Sequence, residues 1–157
     1  TASTRNGSFA ISNNARGTVA VGARAGEVEF RAAGKAVVLR AGEQSLSNGG
    51  APSAPSPIPS SLFLKVDWPS GEQELNARRL TISGRIAPGA VLVVEGRSAA
   101  VDGEGRFRET LRLREGRNAI AAEALDVGGN RWSRKTEVRV DTTAPDSDIS
   151  TQKLWDN

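Results

Sequence analysis

The stretch RAGEVEFRAAGKAVVLRAGEQSLS, residues 24–47, states the same four residues twice: Arg24-Ala25-Gly26-Glu27 and Arg40-Ala41-Gly42-Glu43. A glycine-rich phosphate loop needs a strand, one glycine turn and then a helix. Here each copy is followed by another strand-like run, 28–32 after the first and 44–47 after the second. Within EVEFRA, Val28, Phe30 and Ala32 share one face and Glu27, Glu29 and Arg31 the other, the alternation of a half-buried strand. The echo therefore predicts two β-turns that reverse the chain, with Glu27 and Glu43 opening the strands that follow.

Working outward, short strand-like runs fall at 8–12, 18–23, 27–32, 36–40 and 44–47, punctuated by Gly17, Gly26, Gly34 and Gly42. SNGGAPSAPSPIPSS, residues 47–61, carries four prolines and two glycines, and so predicts a semi-rigid, extended linker. Beyond it, seven runs (62–68, 79–86, 90–96, 98–102, 106–114, 118–126 and 131–141) alternate with turn signals at the spacing of a β-sandwich. No stretch has helical periodicity. The expected architecture is all-β: a small β module at 1–48, a linker at 49–60, a seven-stranded sandwich at 61–142 and a tail at 143–157. Glu109 falls on the apolar face of its run by parity, which predicts a bulge or an edge where the carboxylate reaches water. The chain opens on Thr with a strand pattern a few residues later, and reads as a fragment or processed product.

Composition removes most catalytic chemistry. The 157 residues contain no His, Cys, Met or Tyr, hence no imidazole base, no thiol nucleophile and no soft metal ligand. No catalytic residue, cofactor or metal is assigned. The net charge of +3 is spread through interleaved acids and bases, and only 4% of residues are aromatic. Neither a basic block nor a base-stacking platform points to nucleic acid, and no apolar run is long enough to span a membrane.

Two family resemblances emerge. Val19, Val21, Gly26, Glu27, Val28, Phe30, Gly34, Val38, Leu39, Gly42 and Glu43 follow the pattern of a FecR domain, so residues 1–48 resemble its C-terminal part. ISGRIAPGAVLVVEG, VDGEGRF, LREGRNAIAAEALDVGGN and VDTTAP resemble bacterial Ig-like domains. Together they imply a FecR-like β-roll or sandwich fragment followed by an Ig-like sandwich. The implied setting is the periplasm or cell surface of a Gram-negative bacterium, with other envelope proteins as partners and peptidoglycan as a further ligand.

Candidate contacts follow from residue type. Arg108, Arg112 and Arg114 form a positive stripe suited to carboxylates through bidentate pairing, or else are balanced by cross-strand Glu123 or Glu137. Trp132 and Asn130 suit the apolar face and hydroxyls of a sugar, or else close a structural corner. Leu154 and Trp155 in the tail suit docking on a neighbour, or else begin a further module or belong to a disordered end. The turn at Asp102 and Glu104 offers too few oxygens for calcium and predicts a hairpin. Three readings stand: a non-enzymatic scaffold or interaction module of the cell envelope, a peptidoglycan- or polysaccharide-binding module, and an accessory β module of a carbohydrate-active enzyme.

Overall fold

The computed structural model describes residues 1–14, 16–69 and 74–143, and every regular element among them is a strand. The N-terminal half contributes β1 (Ala2–Ser3), β2 (Ser8–Asn13), β3 (Thr18–Ala25), β4 (Glu27–Ala32), β5 (Lys35–Arg40), β6 (Glu43–Asn48) and β7 (Ser56–Pro57). They form two sheets, ordered β1-β4-β5 and β2-β3-β6-β7. Val21 and Ala23 of one sheet meet Val28, Phe30 and Leu39 of the other in a shared buried core.

The repeated tetrapeptide corrects its own sequence reading. β3 and β4 lie in different sheets, and so do β5 and β6. Each copy is thus a corner at which the chain changes sheet. The reversal within a sheet falls instead to Ala33-Gly34, with φ of 47° and 74°, the two-residue hairpin between β4 and β5. The two copies finish side by side. Glu27 is the register partner of Arg40, and their side chains approach to 4.0 Å in full exposure, a contact worth little to stability.

The second half contributes β8 (Leu64–Asp67), β9 (Glu74–Leu75), β10 (Arg79–Ile86), β11 (Val91–Val94), β12 (Arg97–Ser98), β13 (Arg106–Arg112), β14 (Gly116–Leu125) and β15 (Arg131–Val140). Sheets ordered β13-β10-β8 and β12-β11-β14-β15-β9 enclose Ile82, Ile86, Leu92, Val94, Val101 and Phe107. A second cluster of Leu113, Ile120, Val138 and Val140 extends this core. Six of the seven expected runs hold a strand; the run at 98–102 holds only Ser98, the end of β12, and the isolated bridge of Val101 to Phe107, and the two-residue β9 adds in parallel to β15. Glu109 forms no bulge. The β10–β13 register runs unbroken through Ile82 and Glu109; β13 is the edge strand of its sheet, as the second alternative expected, and the half-buried carboxylate accepts the Ala100 N–H at 2.8 Å.

Residues 49–60 lie along β6. Ser53 N–H donates to Leu46 O at 2.8 Å, Ile58 N–H donates to Gly42 O at 2.8 Å, and β7 pairs with β6. The segment delivers Ile58 and Pro59 to the second half, where Asn130 Nδ2 donates to Pro59 O at 3.0 Å. The deepest link is Asn14, only 4% exposed. Its Nδ2 donates to Val101 O at 2.9 Å, and its Oδ1 accepts the N–H groups of Arg16 and Thr18 at 3.0 and 2.9 Å. Gly22 marks how closely the halves approach: a Cβ there would stand 2.9 Å from Val127 Cγ2.

Asn14→Ala leaves buried backbone groups without partners and is expected to cost about 2–3 kcal/mol in urea unfolding; a loss under about 0.5 kcal/mol would contradict a buried bridge. The two corners should also differ. Gly42→Ala meets open space at φ of 86° and is expected to cost about 1–2 kcal/mol. Gly26→Ala would drive a Cβ to 1.9 Å from Asn6 O, and is expected to cost about 3 kcal/mol or more. Equal losses in thermal melts would refute the assigned corner geometry.

Candidate functional site

The outer face of the β13-β10-β8 sheet follows from strict alternation along its strands. Register sets it out in rows: Arg79 beside Arg112, Thr81 beside Thr110, Asp67–Ser83–Arg108, and Lys65–Arg85–Arg106. Successive rows on one face are about 7 Å apart, so cationic levels recur over about 20 Å. Asp67 is the one acid in those four rows. Like charges directly opposite one another disfavour a sheet, and two rows here place them so. Arg106 is balanced by Asp102 and Glu104, each at 2.9 Å. Arg79, Arg108 and Arg112 have no ion pair among the described residues.

Around the free edge of β13 the face turns into a groove of about 600 Å³, lined among others by Glu95, Arg97, Glu109, Arg112 and Arg114. Both of these carboxylates are directed at the backbone. Glu95 Oε1 accepts the Ala121 N–H at 2.5 Å, and Glu109 Oε1 accepts that of Ala100. The three guanidinium groups are exposed and have no ion pair among the described residues. The expected balance by Glu123 or Glu137 does not form: Glu137 pairs with Arg117 at 3.6 Å, and Glu123 stands on the other sheet. The structure thus brings Arg112 and Arg114 together in one groove and leaves Arg108 on the adjoining flat face. It also adds Arg97, carried in by the β11–β12 pairing of Val94 with Arg97. An isolated Arg after Glu95-Gly96 gave no sequence signal of this.

The other candidates take structural places. Trp132 stacks on Trp68 with ring centroids 6.4 Å apart and planes at 20°, and Arg134 lies 5.4 Å from the Trp68 ring centre. One face of Trp132 is therefore covered. The Asn130 amide donates to Asp126 Oδ2 at 2.9 Å and to Pro59 O, tying the turn to the preceding segment. Leu154 and Trp155 lie outside the described residues.

Four carboxylates, Glu29, Asp102, Glu115 and Asp141, have acidities held below the usual range, and two of them fasten turns of the second half. Asp102 Oδ1 accepts the N–H groups of Arg106 and Glu104 at 2.8 and 3.0 Å, and these bonds, with the Arg106 guanidinium, hold its carboxyl below the usual range. That geometry is the hairpin expected of this turn. Glu115 is lowered chiefly by the N–H and hydroxyl of Thr142, with Arg78 adding to it. The contact fastens the end of β15 to the β13–β14 turn.

The family model described as glucodextranase, domain B matches residues 63–142. Bacillopeptidase F of Bacillus subtilis (strain 168) is 29% identical over 136 aligned residues, with 77% of this chain covered. The chain spans 9% of that relative's length. Among solved structures, the fibronectin(III)-like modules of CbhA from Clostridium thermocellum are similar at a TM-score of 0.38 and 14% identity, over 85% of this chain and 94% of that one.

The comparisons correct the resemblance to a FecR domain, while the β-sandwich expected over residues 61–142 stands and takes the glucodextranase domain B family as its own. The positions that carried the FecR pattern do generic work. Gly26, Gly34 and Gly42 adopt positive φ at corners and a hairpin, and Val21, Val28, Phe30 and Leu39 fill the core between the sheets. Any small two-sheet β module needs such residues at such spacings, so the pattern reports a β fold without identifying its family.

Because all four shifted acids have lowered pKa values, the stability they contribute is present above the ordinary carboxylate range and is lost as pH falls through it. The melting temperature is expected to hold level between about pH 8 and 6 and to fall below about pH 4.5. Glu115→Gln should reduce the steepness of that fall in a pH series of thermal melts. A melting temperature that rises on acidification would contradict the assignment.

Proposed function

The chain belongs to the glucodextranase domain B family through residues 63–142, and from that premise we propose that it is a non-catalytic accessory β module of a larger polymer-degrading enzyme. In this reading it holds an acidic polysaccharide against the β13 edge. Two names support the enzyme setting: the family is that of a glucodextranase domain, and a relative is a bacillopeptidase. The chain contains no His and no Cys, and its candidate site offers guanidinium groups, which bind and orient but do not themselves act as bases near neutral pH.

The observation that carries the ligand class is the groove in which Arg97, Arg112 and Arg114 stand free while Glu95 and Glu109 are held by backbone N–H groups. Planar guanidinium groups pair bidentately with carboxylates. Thr81 and Thr110, bonded to each other at 3.1 Å on the adjoining face, present hydroxyls suited to sugar hydroxyls. The rows of the sheet suit a linear chain with repeated charge. This supports the accessory-module reading over that of an envelope scaffold.

Electrophoresis through gels containing polygalacturonate or dextran tests the proposal. The protein is expected to be retarded by polygalacturonate at low salt, to be released by about 0.5 M NaCl, and to pass dextran unhindered. Replacing Arg97, Arg112 and Arg114 with Gln should weaken retention about tenfold or more, as loss of about 1.4 kcal/mol would. The same charge change at Arg5, Arg16 and Lys35 should leave retention nearly intact. Equal weakening by both triple variants, or hydrolysis of either polymer by the isolated chain, would overturn the reading.

A further inference from the structure

A cleft of about 900 Å³ lies where the two halves meet, and it reaches β2 edge-on. Ala10, Ile11, Ser12 and Asn13 all line it. Side chains on consecutive strand residues point to opposite faces, so four in a row line one cleft only where the strand presents its backbone edge. β2 is the terminal strand of its sheet.

The direction of its backbone groups follows from register. Leu46 accepts from Ser53 N–H and donates to Ser53 Oγ, so both its backbone groups face away from β3. Its register partner Ala20 must then direct N–H and C=O toward Ser12 on β2. By the same alternation Ala10 also bonds to β3, whereas Ile11 and Asn13 turn their N–H and C=O groups into the cleft. Among the described residues these outward groups have no hydrogen-bond partner.

The opposite wall is the outer face of the five-stranded sheet, where Val91, Val93 and Leu125 form an apolar strip. Ile11 is 53% exposed and Leu125 40%, two of the four large apolar side chains that the described residues leave open to solvent. Arg24 and Arg131 stand at the rim against the single free acid Glu123, since Asp126 is bonded to Asn130.

We propose that this cleft receives an extended segment of a partner protein, which adds as a further strand to β2. Outward N–H and C=O groups at strand spacing are matched by another strand's backbone. Alternate apolar side chains of the incoming segment rest on Val91, Val93 and Leu125, and an acidic residue meets Arg24 and Arg131. This site is separate from the arginine groove and does not rest on it.

The test is to pan a displayed library of eight-residue linear peptides on the full chain and to measure the enriched peptides by fluorescence anisotropy and hydrogen exchange. Enriched sequences are expected to alternate apolar and polar residues and to carry an acid. Their binding should slow exchange at Ile11 and Asn13. Ile11→Pro removes one outward N–H and leaves the Ala10 and Ser12 bonds to β3 in place. It should weaken binding at least tenfold with little change in melting temperature. Leu125→Asp, at an exposed site, provides a second variant should the proline unfold the strand, and should weaken binding likewise. Enriched peptides that bind both variants as tightly as the parent, or that lack alternation, overturn the proposal. So does a β2-to-β2 dimer, seen by sedimentation and abolished by Ile11→Pro, which would assign the edge to a second copy of the chain.

Discussion

One buried side chain sets the relation between the halves of this protein. Asn14 uses its carbonyl oxygen to close its own turn onto Arg16 and Thr18, and its amide to hold Val101 across the boundary. A buried amide so placed is constrained in both position and direction, because leaving any of these groups unpaired in the interior is costly. The close approach of Gly22 to Val127 and Ile58, and the bond from Asn130 to Pro59, lie on the same seam. The cleft beside β2 exists because this seam holds the edge strand over the face of the five-stranded sheet.

Charge is arranged by the backbone as much as by opposite charge. Several acids of the second half accept main-chain N–H groups: Asp102 within its hairpin, Glu95 at Ala121, Glu109 at Ala100, and Glu115 at Thr142. Carboxylates bonded in this way fasten turns and strand edges. The consequence is electrostatic. A half with nearly balanced formal charge presents a surface on which Arg79, Arg97, Arg108, Arg112 and Arg114 have no ion pair among the described residues. Balance counted along the sequence therefore understates the local field at the β13 edge.

Much of the fold was legible in advance. EVEFRA and RLTISGRI mark β4 and β10 to the residue, because period-two alternation between core and water is a local signal. Sites were less legible. Arg108, Arg112 and Arg114 were visible as a stripe, but their separation from Glu123 and Glu137 depends on which sheet each strand joins. Arg97 was invisible because its importance comes from a hairpin that carries it beside another strand. Trp132 looked available for a ligand until Trp68, 64 positions earlier in sequence, was found stacked on it. Glu109 broke the parity of its strand without a bulge, since a backbone N–H from a distant turn satisfied it.

The repeated RAGE tetrapeptide separates the two kinds of information. By itself the sequence determined that both copies are turns and that strands follow them, because a glycine able to take positive φ and an alternating run are properties of a few neighbouring residues. Only the tertiary structure decided that each turn carries the chain from one sheet to the other, that the reversal within a sheet belongs to Ala33-Gly34, and that Gly26 is crowded by Asn6 while Gly42 is open. Sheet membership is set by hydrogen bonds and packing between strands far apart in sequence, and identical local residues can therefore occupy different surroundings.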